Sequence, residues 1–166
     1  MKTVYFIRHA KSSWSDMSLR DFDRPLNKRG TRDAPFMAAK LLEFGVKPDA
    51  IISSPANRAI TTATHFAKAL DILPTNILQK PEIYHAYATT ILEVIQAQSN
   101  DVNTILIFGH NPGFTMIANM FKGGAHIDNV PTCGIVKVVA EKKKWSNFTP
   151  KNGMVKEFHF PKQYFD

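Results

Sequence analysis

The stretch Thr104-Ile105-Leu106-Ile107-Phe108-Gly109-His110-Asn111-Pro112-Gly113 decides the fold. An apolar run of strand length stops at Gly109, three polar or cyclic residues follow, and apolar positions then recur at helical spacing from Gly113 to Phe121. Working outward, the same rhythm appears at Ala50 to Ile52, which ends in Ser53-Ser54-Pro55 ahead of a helix predicted over Ala56 to Leu70. A third run, Thr3 to Ile7, ends in Arg8-His9. Further helices are predicted over about Thr31 to Phe44, closed by Gly45, and over Thr89 to Ala97. Ile135 to Ala140 and Met154 to Phe160 read as two more strands, joined by a lysine-rich turn into a hairpin at a sheet edge. Asp21 to Gly30 alternates acids and bases without apolar periodicity and reads as a loop. Alternating strands and helices predict an α/β fold with a mainly parallel central sheet.

Composition sets the outer limits. With 166 residues, 44% of them hydrophobic, the chain can bury a core as one domain over residues 1–166 without disulfides or a structural metal. The single cysteine, Cys133, agrees with that and favours a reducing, cytoplasmic address. Arg8 interrupts the N-terminal apolar run after Ile7, too early for a signal-peptide core or a membrane span. A formal charge of +7 favours anionic partners. Its densest cluster, Lys142 to Lys144 followed by Lys151 and Lys156, reads as a solvated turn. No Gly-rich loop ending in Lys-Ser/Thr, finger spacing or ribonucleoprotein-type motif accompanies it, so a nucleic-acid partner is not expected.

Ligands of α/β sheets collect at the carboxyl ends of strands, where helix N-termini offer unpaired N–H groups. Arg8-His9, Ser53 to Arg58 and His110-Asn111 all fall at such ends. Adjacent parallel strands would gather two arginines and two histidines in one volume. Unpaired cations make a poor core but a good anion site, and guanidinium forks match phosphate oxygens. In such a pocket a neutral His9 is the candidate nucleophile, forming a phosphohistidine that water then hydrolyses. Arg8 and Arg58 would hold its pKa down, and His110 would complete the anion pocket. No cofactor or metal is called for.

Phe6-Ile7-Arg8-His9-Ala10-Lys11-Ser12-Ser13-Trp14 closely resembles the signature of the histidine phosphatase superfamily, and Ala10 after the histidine is similar to the SixA-type phosphohistidine phosphatases. Matches continue in order through Asp21 to Gly30, Ser53 to Ala59 with Thr62-Ala63, and Gly109 to Gly113, with weaker echoes at Pro131 to Gly134 and Phe160 to Lys162. The resemblance implies a phosphoglycerate mutase-like, three-layer α/β/α sandwich. It implies His9 as phosphorylated nucleophile, with Arg8, Arg58 and His110 binding phosphate and Ser12 and Ser15 as further donors. Arg24 and Asp23 fall near the pocket, as substrate contact and as orienter of an arginine, or else they merely charge the adjoining helix. Glu82 falls where many members carry a proton-donating acid, with His85 as its competitor. Trp14, Tyr84 and Phe114 are left to an entrance or to the core.

The short chain leaves little room for a lid, which suits a phosphate displayed on a protein. The leading expectation is a metal-independent phosphatase of a phosphohistidine-bearing protein. A broader phosphomonoesterase is the alternative that a functional Glu82 would favour, because alkoxide leaving groups need a proton. A non-catalytic phosphate-recognition module is the second alternative.

Overall fold

Val4 and Phe6 face one side of a sheet, and Tyr5 and Ile7 the other, because successive side chains of a strand point to opposite faces. They lie on β1 (Lys2–Arg8) of a computed structural model that describes residues 1–165. The elements that follow are α1 (Lys28–Glu43), β2 (Ala50–Ser53), α2 (Asn57–Ala69), β3 (Leu78–Gln79), α3 (Ala88–Gln96), β4 (Thr104–Gly109), α4 (Gly113–Met120), β5 (Ile135–Ala140) and β6 (Gly153–His159). Among the described residues the strands form one six-stranded sheet in the order β3-β2-β4-β1-β5-β6.

The register explains where a site can form. β1 runs parallel to β4 with Arg8 opposite Gly109, and β2 runs parallel to β4 with Ser53 opposite Phe108. Three carboxyl ends therefore lie side by side. β5 and β6 close the other side of the sheet as an antiparallel pair. Tyr5, Ile7, Ile51, Leu106 and Phe108 pack beneath α1 and α2, whose Ala34, Ala38, Ala63 and Ala67 allow a close approach. Val4, Phe6, Ile105 and Ile107 pack against α3 and α4 through Ile91, Ile95, Phe114 and Ile117. The result is the three-layer α/β/α sandwich, with inner strands apolar on both faces.

Three local features depart from expectation. α1 starts at Lys28, ahead of Thr31, because the Asn27 side chain accepts the Gly30 N–H at 2.9 Å and caps the first turn. Asp21–Asp23 forms a 3-10 turn within the stretch expected to be loop. The β5–β6 connection is more than a solvated turn: Lys142 to Lys144 are exposed, but Trp145 and Phe148 are buried and the Trp145 indole donates to the Val102 carbonyl at 2.8 Å. Gly45 closes α1 as expected, at φ +76°. No helix among the described residues is long and apolar enough to cross a membrane.

Candidate active site

The ends of β1 and β4 are tied by the His9 N–H, which donates to the Gly109 carbonyl at 3.0 Å. This brings the His9 and His110 rings to a centroid separation of 5.2 Å. The Ala10 N–H donates to the Thr62 hydroxyl oxygen at 3.0 Å, and that hydroxyl donates to the Arg58 carbonyl at 2.7 Å, joining the loop after β1 to α2. On the far side the Cys133 N–H reaches the carbonyls of both Arg8 and His9 at 3.0 Å. Arg8, His9, Arg58 and His110 thereby line one cavity of ≈ 220 Å³.

His9 is buried, with Nδ1 2.7 Å from the Ala10 carbonyl oxygen. A carbonyl only accepts, so Nδ1 carries the proton and Nε2 keeps its lone pair. Burial, reinforced by the charges of Arg58, Arg8 and Arg24, outweighs the Ala10 hydrogen bond and lowers the His9 pKa to about 3. His110 lies with Nε2 2.8 Å from the Ser54 hydroxyl; burial, then His9 and Arg58, lowers its pKa to about 2. Burial and then Arg58 also lower the pKa of Arg8, whose Nη1 donates to the Val130 carbonyl at 3.0 Å.

Asp21 is the counter-charge. Arg58 donates through Nη1 to its carbonyl at 2.7 Å and through Nη2 to its carboxylate at 2.9 Å. The Tyr84 hydroxyl donates to the same carboxylate at 2.7 Å, Arg24 Nε at 3.2 Å, and His85 Nε2 lies 3.6 Å away. Partial burial pushes the Asp21 carboxyl up, but the bonds from Tyr84 and Arg58 and the Arg58 charge prevail and hold it well below the usual carboxylate range. Among the described residues, three buried nitrogens have no hydrogen-bond partner: Arg8 Nε, Arg58 Nε and His110 Nδ1. No cluster of three or more His, Cys, Asp or Glu among the described residues is arranged to hold a metal ion.

The remaining expected residues divide. Ser12 lines the cavity, although its hydroxyl accepts Arg24 Nη1 at 2.8 Å. Ser15 is exposed outside it, its hydroxyl 2.8 Å from that of Ser13. Glu82 is also exposed outside the cavity, beside Lys80 and Thr90, because the 3-10 turn Pro81–Ile83 buries Ile83 and turns Glu82 outward. His85 lines the cavity instead, with its backbone at φ 55°, a left-handed conformation uncommon for a side-chain-bearing residue. Arg24 lines the cavity stacked 3.4 Å over the Trp14 ring. Asp23 pairs with the exposed Arg20, so the carboxylate that orients an arginine of the pocket is that of Asp21. Tyr84 packs against the His110 ring, and Phe114 belongs to the core. Thr132 is a wall residue that sequence reasoning missed; its signal was the weak echo at Pro131 to Gly134.

Residues 4–83, which carry Arg8, His9, Asp21, Arg24 and Arg58, match the histidine phosphatase superfamily (branch 1). The chain belongs to the histidine phosphatase superfamily. A structure provisionally assigned as the phosphohistidine phosphatase SixA of Agrobacterium tumefaciens is 29% identical, with a TM-score of 0.79 over 96% of this chain and 98% of that one. The protein histidine phosphatase SixA complexed with tungstate has the same fold, with a TM-score of 0.81 and 23% identity over 97% and 98% of the two chains. An uncharacterised chloroplastic protein of Arabidopsis thaliana is 33% identical, covering 87% of this chain and 69% of its own length. This histidine phosphatase is thus SixA-type in fold and extent, and its sandwich is the phosphoglycerate mutase-like one.

Proposed function

We propose that this histidine phosphatase removes the phosphoryl group from a phosphohistidine-bearing protein, with His9 as its covalent nucleophile. The observation that carries the reading is the state of His9: buried among arginines, held neutral, with Nδ1 committed to Ala10 and the Nε2 lone pair left to attack. Arg8, Arg58 and His110, which line the cavity together, bind the phosphoryl oxygens. Phosphoryl transfer is largely positioning plus stabilisation of charge on those oxygens, and fixed guanidinium groups supply both without a metal.

In the first step the Nε2 lone pair forms a bond to phosphorus while the substrate's P–N bond breaks, its electrons leaving on the substrate imidazole, which takes up a proton. In the second step a water oxygen attacks phosphorus as a proton of that water passes to the donor spent in the first step, the P–Nε2 bond breaks with its electrons returning to Nε2, and neutral His9 and inorganic phosphate are released. The proton donor of the first step is His85, exposed at the cavity and backed by Asp21. Two features favour phosphohistidine over an ester. Among the described residues no carboxyl group lines the cavity, whose ≈ 220 Å³ takes a phosphoryl group and part of a ring. An imidazole leaves phosphorus more readily than an alkoxide, so a weak, exposed donor suffices. We read residues 1–166 as one domain, working in a reducing compartment, the cytoplasm, where a lone buried Cys133 stays a thiol.

The test compares hydrolysis of a phosphohistidine-bearing carrier domain and an aryl phosphate, with chelator present throughout. The expected result is preference for the carrier domain, no effect of chelator, and loss of turnover in His9→Ala with tungstate binding partly retained. Strong activity on the ester alone would move the assignment to a general phosphomonoesterase. Turnover retained by His9→Ala would refute the nucleophile.

A further inference from the structure

Thr132 lines two cavities. One is the catalytic cavity, and the other is a larger one of ≈ 570 Å³. Arg29, Arg32 and Asp33 contribute to this second cavity from the start of α1, where spacings of three and four residues put them on one helix face. Lys162 and Pro161 enter from the 3-10 turn Pro161–Gln163, with Phe160 beside them. Asp33 is buried and held by Arg32, through Nε at 2.9 Å and Nη2 at 2.8 Å, while Arg29 Nε stands 3.8 Å away. Among the described residues, Arg29, Arg32 and Lys162 thus line this cavity with one carboxylate, Asp33. Arg29 Nη2 also donates to the Thr132 hydroxyl at 3.2 Å, which fixes a guanidinium against the partition between the cavities.

A second observation points the same way. The first turn of α1 contains no acidic residue and begins Lys28-Arg29, with Arg32 one turn on. This reverses the charge order that a helix dipole favours, since the amino end is already positive. An anion bound beside this turn would meet the helix dipole and the arginine charges together.

We infer that this cavity holds the carboxylate of an Asp or Glu side chain that neighbours the phosphohistidine on the substrate protein's surface. The identity of that substrate rests on the proposed phosphohistidine activity; the second contact rests on Arg29, Arg32 and Lys162. Because Thr132 belongs to the walls of both cavities, phosphoryl group and carboxylate are engaged together. Phe160 and Pro161 take the aliphatic stem of the acidic side chain.

Two phosphohistidine peptides that differ only in a flanking Glu or Gln test the inference. The wild type should favour the Glu peptide by roughly fivefold in kcat/KM, through KM, and added salt should shrink the difference. Arg29→Ala and Lys162→Ala should each reduce the preference to about twofold or less, and Arg29→Lys should keep most of it. Lys162 sits on an exposed turn, so its substitution reads the cavity even where Arg29→Ala perturbs folding. Equal kcat/KM for the two peptides in the wild type, or a preference unchanged in both alanine variants, overturns the inference. If neither peptide is dephosphorylated, the Kd of the unphosphorylated Glu and Gln peptides reads the cavity separately from the chemistry. Tighter Glu-peptide binding that weakens in Lys162→Ala supports a carboxylate site, and equal binding of the two peptides overturns it.

Discussion

His9 and His110 make the fold acid-sensitive between pH 7 and pH 5. Their folded pKa values lie at about 3 and about 2, against about 6.5 for histidine in an unfolded chain. Below pH 6.5 the unfolded chain therefore binds more protons than the folded one, and stability, complete above that value, falls as pH falls toward the folded values. Between pH 7 and pH 5 each buried imidazole removes about 2 kcal/mol, so the pair removes about 4 kcal/mol, a large part of the roughly 5–15 kcal/mol that holds a typical domain together. Asp21 acts in another window. Its lowered pKa gives stability that is present above the unfolded carboxyl value and is lost only at lower pH. Urea unfolding of the wild type and His110→Gln at pH 7 and pH 5 isolates the effect, because titrations common to both cancel. The variant should lose about 2 kcal/mol less than the wild type across the interval. Equal losses in the two proteins would refute the claim that burial and neighbouring cations keep these imidazoles neutral.

Other substitutions separate the remaining roles. His85→Gln should lower kcat for an aryl phosphate by about a hundredfold and affect a phosphohistidine substrate far less, whereas Glu82→Gln should change neither rate in the same steady-state assay. Asp21→Asn removes the partner of the buried Arg58; after allowance for the partial exposure of Asp21, unfolding experiments should show a loss of about 2 kcal/mol. Gly30→Ala would press a methyl group into the Lys11 carbonyl oxygen, backbone against which nothing flexible can yield. That variant should lose about 2–3 kcal/mol in urea and show a raised KM, because the Lys11–Ser12 segment lines the cavity.

The residues legible in the sequence are those whose position follows from strand ends. Arg8, His9 and His110 terminate apolar runs, and Arg58 opens the helix after a third run. Once two-sided burial fixes the register of parallel strands, these ends cannot help meeting. Residues on turns are different, because rotation of a short turn is set by what its neighbours bury. Ile83 enters the core and sends Glu82 outward, a choice that no periodicity within three residues announces. Asp21 and Asp23 sit two apart in the same charged stretch, and only the 3-10 turn between them decides which meets Arg58 and which meets Arg20. Trp145 is similar: its lysine neighbours mark a solvated turn, while the space beside Val102 that buries its indole comes from a distant part of the chain.

Under the proposed function, binding and reactivity of the four central residues share one electrostatic cause. Two neutral imidazoles and the guanidinium groups of Arg8, Arg24 and Arg58 surround one small volume. Asp21 compensates Arg24 and Arg58, while Val130 offers Arg8 only a carbonyl; under the proposed function the phosphoryl oxygens supply what is missing. The same excess of cations, together with burial, keeps His9 unprotonated and so leaves Nε2 able to attack. A substitution that relieved the repulsion by removing Arg8 or Arg58 would raise the His9 pKa and weaken phosphate binding at once. Stability gained by such a substitution would therefore be lost from both affinity and nucleophilicity, so the pocket's order comes from Thr62 and Cys133 behind it and from Asp21, which pairs Arg58 and Arg24 and leaves Arg8 without a carboxylate.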